Sequence, residues 1–159
     1  MTLVAYFLLK WVHVLLAIAA VGSNMTYGIW LARSANGDPK YLAQVLRTIK
    51  FIDDRLANPC YGLLLLTGIG MVTLPSGPSI KTPWLLVSLV LYVVALLLGI
   101  FMYTPVLRRQ IAAVEGPGVA SPEYQIAAAQ GRQLGIILAV IVVAIIFLMV
   151  VKPTFGLTT

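Results

Sequence analysis

Four long runs of apolar residues alternate with short polar segments along the chain. Each run has at least the roughly 18 residues that a helix needs to cross about 30 Å of hydrocarbon. The runs are solidly apolar and do not alternate, which favours helices over the strands of an outer-membrane barrel. The pattern predicts an all-α protein, a bundle of four transmembrane helices in a single membrane domain, with spans at about residues 3–31, 56–74, 84–106 and 134–151.

Two of these helices are predicted to begin before their apolar runs. Asp38-Pro39 and Ser121-Pro122 each place a capping side chain before a proline, which is a typical helix start. We therefore expect cytoplasmic extensions of helices two and four. Within the first extension, residues 39–55, apolar residues recur at spacings of three and four, which is an amphipathic pattern: Leu42, Val45, Leu46, Ile49 and Ile52.

The amphipathic segment 39–55 has two interpretations. It either packs on neighbouring helices as an extension of span two, or it lies at the membrane interface and docks a partner.

Composition agrees with a membrane protein, because 60% of the residues are hydrophobic and only 10% are charged. The net charge of +6 comes from basic residues that concentrate on one side of the predicted spans. The positive-inside rule then places the basic loops in the cytoplasm and both termini outside a bacterial inner membrane. This charge indicates contact with the lipid bilayer and its anionic head groups, and not with nucleic acid. The loops between spans hold Arg33, Lys40, Arg47, Lys50, Arg55, Arg108, Arg109 and Arg132, whereas the other side holds Lys10, Lys81 and Lys152.

Polar and small residues within the spans are expected to face the interior of the bundle. On span one, Lys10, His13 and Asn24 share one stripe with small residues. His13 is the single histidine of the chain, and its neutral imidazole could ligate haem iron. The small residues beside it would leave room for a planar group. The alternative is that His13 only donates one hydrogen bond to a carbonyl or a tyrosine.

No Asp or Glu lies within a predicted span, which counts against a pathway for ions. Asp53 and Asp54 stand at the start of span two, where we expect both to pair with Lys50 or Arg55.

Several short sequence motifs resemble those of known families. The segment Lys10-Trp11-Val12-His13-Val14 and the ending Val150-Val151-Lys152-Pro153 are similar to a family of bacterial predicted integral membrane proteins catalogued as a domain of unknown function. More distantly, they resemble HemJ-type protoporphyrinogen oxidases and CopD-like membrane domains. The HemJ resemblance implies haem b, with His13 at the position of the histidine implicated in binding it. A functional lysine of HemJ corresponds to Ser88, four residues after Trp84.

Three hypotheses for function follow. The first is a haem-b-binding or redox-associated membrane protein, with His13 as the axial ligand. Its candidate pocket is lined by Lys10, Asn24, Tyr61, Ser88 and Tyr92. The second is a non-catalytic accessory subunit that binds another membrane protein, or forms a homodimer. The third is a pathway for small solutes or ions along span one.

Overall fold

The computed structural model describes residues 2–34 and 37–154, and this part of the chain forms helices and no strand. Two of the long helices are interrupted by short π-helical segments, which we call the first and second π segments. In chain order the elements are α1 (Thr2–Ser34), α2 (Pro39–Ile52), the first π segment (Asp53–Ala57), α3 (Asn58–Thr73), α4 (Pro83–Leu98), the second π segment (Gly99–Tyr103), α5 (Thr104–Glu115) and α6 (Pro122–Val151).

Continuous helix across the π segments gives four long helices within the described residues, each long and apolar enough to cross a membrane. The prediction of an all-α bundle with four transmembrane helices is confirmed.

Both predicted helix starts are present. The Asp38 carboxylate accepts a hydrogen bond from the Lys40 N–H at 2.9 Å, and the Ser121 hydroxyl accepts one from the Tyr124 N–H at 3.2 Å. A proline occupies the first turn in each case, where no backbone donor is needed. Helices two and four therefore extend beyond their apolar spans, as predicted.

The third long helix also extends beyond its span, which the apolar pattern did not predict. Helix α5 continues to Glu115 and buries Leu107, Gln110 and Val114 while Arg108 and Arg109 stay exposed. The adjacent arginines interrupt the apolar run, so the segment resembles a loop when hydrophobicity alone is read.

The apolar face of α2 is used inside the molecule. Leu42, Val45, Leu46 and Ile49 are buried, and they form one core cluster with side chains from α1 and α5. This packing favours the interpretation of segment 39–55 as an extension of span two. Helix α1 contributes Tyr27 to this cluster, and α5 contributes Leu107 and Val114.

The helices pack as two pairs, α1 with α3 and α4 with α6, and α2 and α5 join the pairs at one end. We call the end that holds α2, α5 and the start of α6 the basic end, and the opposite end the terminal end. The largest core cluster lies at the basic end. Along the spans most large apolar side chains are exposed, Ile18 at 63% and Val140 at 64% for example. These surfaces suit a protein embedded in a lipid bilayer.

Candidate functional site

His13 is held by α3. Its Nδ1 lies 2.7 Å from the Thr67 hydroxyl oxygen, which in turn donates to the Leu63 carbonyl at 2.8 Å. A hydroxyl has one hydrogen, so with that hydrogen directed to the Leu63 carbonyl the Thr67 oxygen accepts from the Nδ1–H of His13. This network assigns the proton to Nδ1 and leaves the lone pair on Nε2. An oriented ring of this kind is typical of metal-binding histidines.

Helix α3 lies against one edge of the His13 ring. A methyl group added at Gly68 of α3 would lie 3.5 Å from the His13 Cε1 atom, which is ordinary contact. Further along α1, Ala20 is completely buried against Cys60 and Leu64. The small residues of α1 thus let α3 approach closely, as is usual in membrane helix pairs.

Three of the predicted site residues come together on Tyr61 of α3. The Asn24 side-chain amide donates to the Tyr61 hydroxyl at 2.7 Å, and the Tyr92 hydroxyl donates to the Tyr61 carbonyl at 2.5 Å. Tyr61 therefore connects α1, α3 and α4. His13 lies 11 residues before Asn24, about 16 Å along α1, so the two form separate sites.

The remaining two predicted residues lie elsewhere. Lys10 is exposed and forms no ion pair within the described part of the chain. Ser88 is fully buried and donates to the Trp84 carbonyl at 2.7 Å, on helix α4, which packs against α6. Neither forms a hydrogen bond with His13 in the described residues, and the hydrogen bonds do not join the six predicted residues into one group.

The position of Asp53 differs most from what the sequence predicts. Asp54 is exposed and pairs with Lys50, as predicted. Asp53 instead is only 6% exposed and accepts a hydrogen bond from the Asn58 amide at 3.2 Å. The prediction that it pairs with Lys50 or Arg55 is wrong.

The first π segment explains this placement. The Asn58 N–H bonds to the Asp53 carbonyl, five residues back, so the helix contains one extra residue in this turn. The extra residue changes which side chains face inward, and a strict 3.6-residue period does not locate it. The second π segment ends at Tyr103, which packs against the core cluster of the basic end. Such bulges often occur at functional sites.

Asp53 belongs to a group of polar side chains in which Asp53 and Tyr27 are buried, Asn24, Tyr61 and Tyr103 are half-buried, and Asn58 is exposed. The charge of Asp53 acts on the hydroxyl groups of Tyr27, Tyr61 and Tyr103. We call this group the aspartate site. Its members come from α1, both π segments and α3: Asn24, Tyr27, Asp53, Asn58, Tyr61 and Tyr103.

Two polar atoms of the aspartate site have no hydrogen-bond partner although they are buried. They are the side-chain oxygen of Asn24 and the hydroxyl of Tyr27, whose side chain is only 4% exposed. Leaving such a group unpaired costs about 1–3 kcal/mol, so each one calls for an explanation. A ligand that contacts oxygen atoms would satisfy both.

Sequence reasoning found Asn24 and Tyr61 but missed Tyr27, Asn58 and Tyr103. Tyr27 lies three residues after Asn24, on the same face of α1, and this spacing was the available signal. No comparable signal points to Tyr103, since its position depends on the second π segment.

Comparison with known families agrees with the architecture. Residues 7–153 match the family described as Predicted integral membrane protein (DUF2269). The chain belongs to this family. The matched residues include parts of all four long helices, and the match confirms the predicted resemblance to a membrane family of unknown function. No curated protein and no solved structure matches the chain, and similarity to HemJ or CopD proteins is not shown.

Proposed function

We propose that this membrane protein binds a small cation, in the simplest case a proton, at the aspartate site and moves it across the bilayer. The supporting observation is that Asp53 is buried and that two buried polar atoms in the same part of the bundle, on Asn24 and Tyr27, have no hydrogen-bond partner. Asp53 lies three residues before span two, at the basic end, and an ionisable group buried where helices enter the membrane is a candidate for ion or proton handling.

The chemistry of the group suits a cation. Removing a carboxylate from water disfavours its ionised form unless a positive charge or a proton joins it. The side-chain oxygen of Asn24 and the hydroxyl oxygen of Tyr27 are hard oxygen donors of the type that small cations prefer. Asn58 already donates to Asp53 and holds the carboxylate in place.

The aspartate site and His13 would then be two successive binding sites for the same ion. Between them, Ala20, Cys60 and Leu64 close the contact of α1 with α3. Passage therefore requires these two helices to separate at this apolar contact, while exchange at the aspartate site takes place from the basic end. The imidazole of His13 is the second group on this route that can carry a proton.

We further propose a bacterial inner-membrane location with the basic end in the cytoplasm and both termini outside. The excess of Lys and Arg in the loops of the basic end supports this orientation through the positive-inside rule.

Proton uptake into liposomes tests the proposed function. Purified protein is reconstituted with the pH dye pyranine inside, and valinomycin with a potassium gradient makes the interior negative. We expect acidification with the wild type and with Asp54→Asn, the exposed neighbour that serves as control. Asp53→Asn keeps the size of the side chain but removes its charge, so uptake should be at least about tenfold slower.

Equal rates for the wild type and Asp53→Asn would remove Asp53 from the mechanism. If protein-free liposomes acidify as fast as the wild type, the same assay with a sodium indicator tests the other small cation. A null result in both assays contradicts the proposal.

Haem b binding through His13 is a second proposal, supported by the unprotonated Nε2 that the Thr67 hydrogen bond leaves available. The absorbance spectrum of protein expressed with ample haem tests it. A Soret band that His13→Ala abolishes would support a haem protein, and a spectrum without that band would oppose it.

An accessory role, with a homodimer or a membrane-protein partner, is the remaining alternative. It predicts a stoichiometric partner or a second copy after purification in mild detergent.

A further inference from the structure

A groove of about 440 Å³ runs along the surface between α5, the second π segment and α6. One end of the groove is polar and carries the side chains of Arg109, Gln130 and Gln133. The rest is lined by apolar side chains, among them Phe101, Leu134 and Ile137. It lies apart from the aspartate site.

The polarity of the groove follows the direction of the helices. From Phe101 to Arg109 the chain runs out of the apolar span towards the basic end, and from Gln130 to Ile137 it runs back into the apolar span. The polar side chains therefore collect at the basic end, and the apolar ones extend towards the middle of the bilayer. A phospholipid has the same arrangement, with its head group at the interface and its chains below.

Charge determines which phospholipid suits the groove. Arg109 is exposed and takes part in neither of the two ion pairs found in the described residues, which use Arg47 and Lys50. A guanidinium binds a phosphate through two parallel hydrogen bonds, and the amide groups of Gln130 and Gln133 add neutral donors. None of the residues that line the groove carries a negative charge.

We infer that this groove binds an anionic phospholipid. Its phosphodiester contacts Arg109, Gln130 and Gln133, and one acyl chain lies along Phe101, Leu134 and Ile137. Basic pockets between membrane helices bind anionic head groups in this way. The second π segment contributes Phe101 to the apolar part, so the bulge shapes this surface as well as the aspartate site.

Titration with defined lipids tests the head-group contact. Delipidated protein in a neutral detergent is mixed with phosphatidylglycerol or phosphatidylcholine, and bound lipid is counted by native mass spectrometry. We expect phosphatidylglycerol to bind more tightly, and Arg109→Ala to weaken its binding about five- to tenfold. Arg108→Ala is the matched control, because Arg108 is adjacent and exposed but does not line the groove.

A second pair of variants tests the acyl-chain contact. Ile137→Trp fills the apolar part and should reduce binding of phosphatidylglycerol, whereas Ile136→Trp, outside the groove, should not. Equal binding by the two arginine variants, or equal binding of both lipids to the wild type, would overturn the inference. Inorganic phosphate is also added as a competitor of bound phosphatidylglycerol. If it displaces that lipid as effectively as unbound phosphatidylglycerol does, the acyl chain contributes nothing and the inference is overturned.

Discussion

At the scale of single residues, two hydrogen bonds inside the bundle connect α1 to α3, from His13 to Thr67 and from Asn24 to Tyr61. Each involves a side chain that would be costly to leave unpaired in a membrane. The first is complete, since Thr67 also bonds to the backbone. The second leaves the Asn24 oxygen buried without a partner. The unpaired oxygen of Asn24 belongs to the proposed cation site, whereas the imidazole of His13 is already oriented by its bond to Thr67.

Replacing Thr67 tests the assigned state of His13. Thr67→Val keeps the shape of the side chain but removes the acceptor, so we expect a loss of about 1 kcal/mol in unfolding free energy. Thr67→Ser keeps the hydroxyl and should retain the hydrogen bond. Equilibrium unfolding in mixed micelles measures the stability, and nitrogen NMR of the imidazole reports which ring nitrogen carries the proton. An Nε2 proton in the wild type would contradict the assignment.

At the scale of elements, the close contact between α5 and α6 depends on one glycine. Gly131 and Gly135 are four residues apart, a spacing of small residues that often lets membrane helices approach closely. In the structure only Gly131 lies at such a close contact. A side chain at Gly131 would overlap the amide of Gln110, which is buried and donates to the Ala127 carbonyl at 3.1 Å. Nothing lies within 4 Å of the equivalent position at Gly135.

Alanine at these two glycines should therefore have opposite effects. Gly131→Ala displaces the Gln110 amide and breaks a buried hydrogen bond, which we expect to cost about 1–3 kcal/mol. Gly135→Ala meets open space and removes a poor helix former, so stability should be unchanged or rise by up to about 1 kcal/mol. Thermal unfolding of the two variants side by side measures the difference, and equal melting temperatures would show that Gln110 adapts freely.

At the scale of the whole molecule, the two helix pairs are joined mainly where α2 meets α5, at the basic end. An exposed ion pair between Arg47 and Glu115, at 2.6 Å, adds to this junction. The clustered core and the junction make the basic end the more firmly assembled part, while each pair faces lipid along its span. Separation of α1 from α3 within their pair, towards the terminal end, would open the region between His13 and the aspartate site.

Cysteine labelling tests the proposed orientation of the molecule. Cys60 is buried and is replaced by alanine to provide the background. A cysteine at Ser79, in the turn of the terminal end, should react with a membrane-impermeant maleimide in intact cells, and one at Ala120, in the basic-end loop, should react only after lysis. The reverse pattern would invert the topology and place the aspartate site near the outer surface.

Much of the fold was predictable because it follows from local chemistry. Apolar runs located the spans, and the caps at Asp38 and Ser121 located the helix starts. The three- and four-residue spacing of α2 also identified its buried face. Helix α5 has the same spacing, but Arg108 and Arg109 obscured it. The candidate site was predicted only in part, since Asn24, Tyr61 and Tyr92 do meet whereas His13, Lys10 and Ser88 do not join them.

The sequence by itself determined that this chain is an all-α membrane protein with four spans, because the cost of exposing backbone groups to lipid leaves few structures for such apolar runs. Only the tertiary structure decided which polar residues are buried together. The extra residue in the first π segment turns Asp53 inward, and the close approach of α3 brings Thr67 within hydrogen-bond distance of His13. Both depend on how helices pack, which the spacing along one helix does not specify.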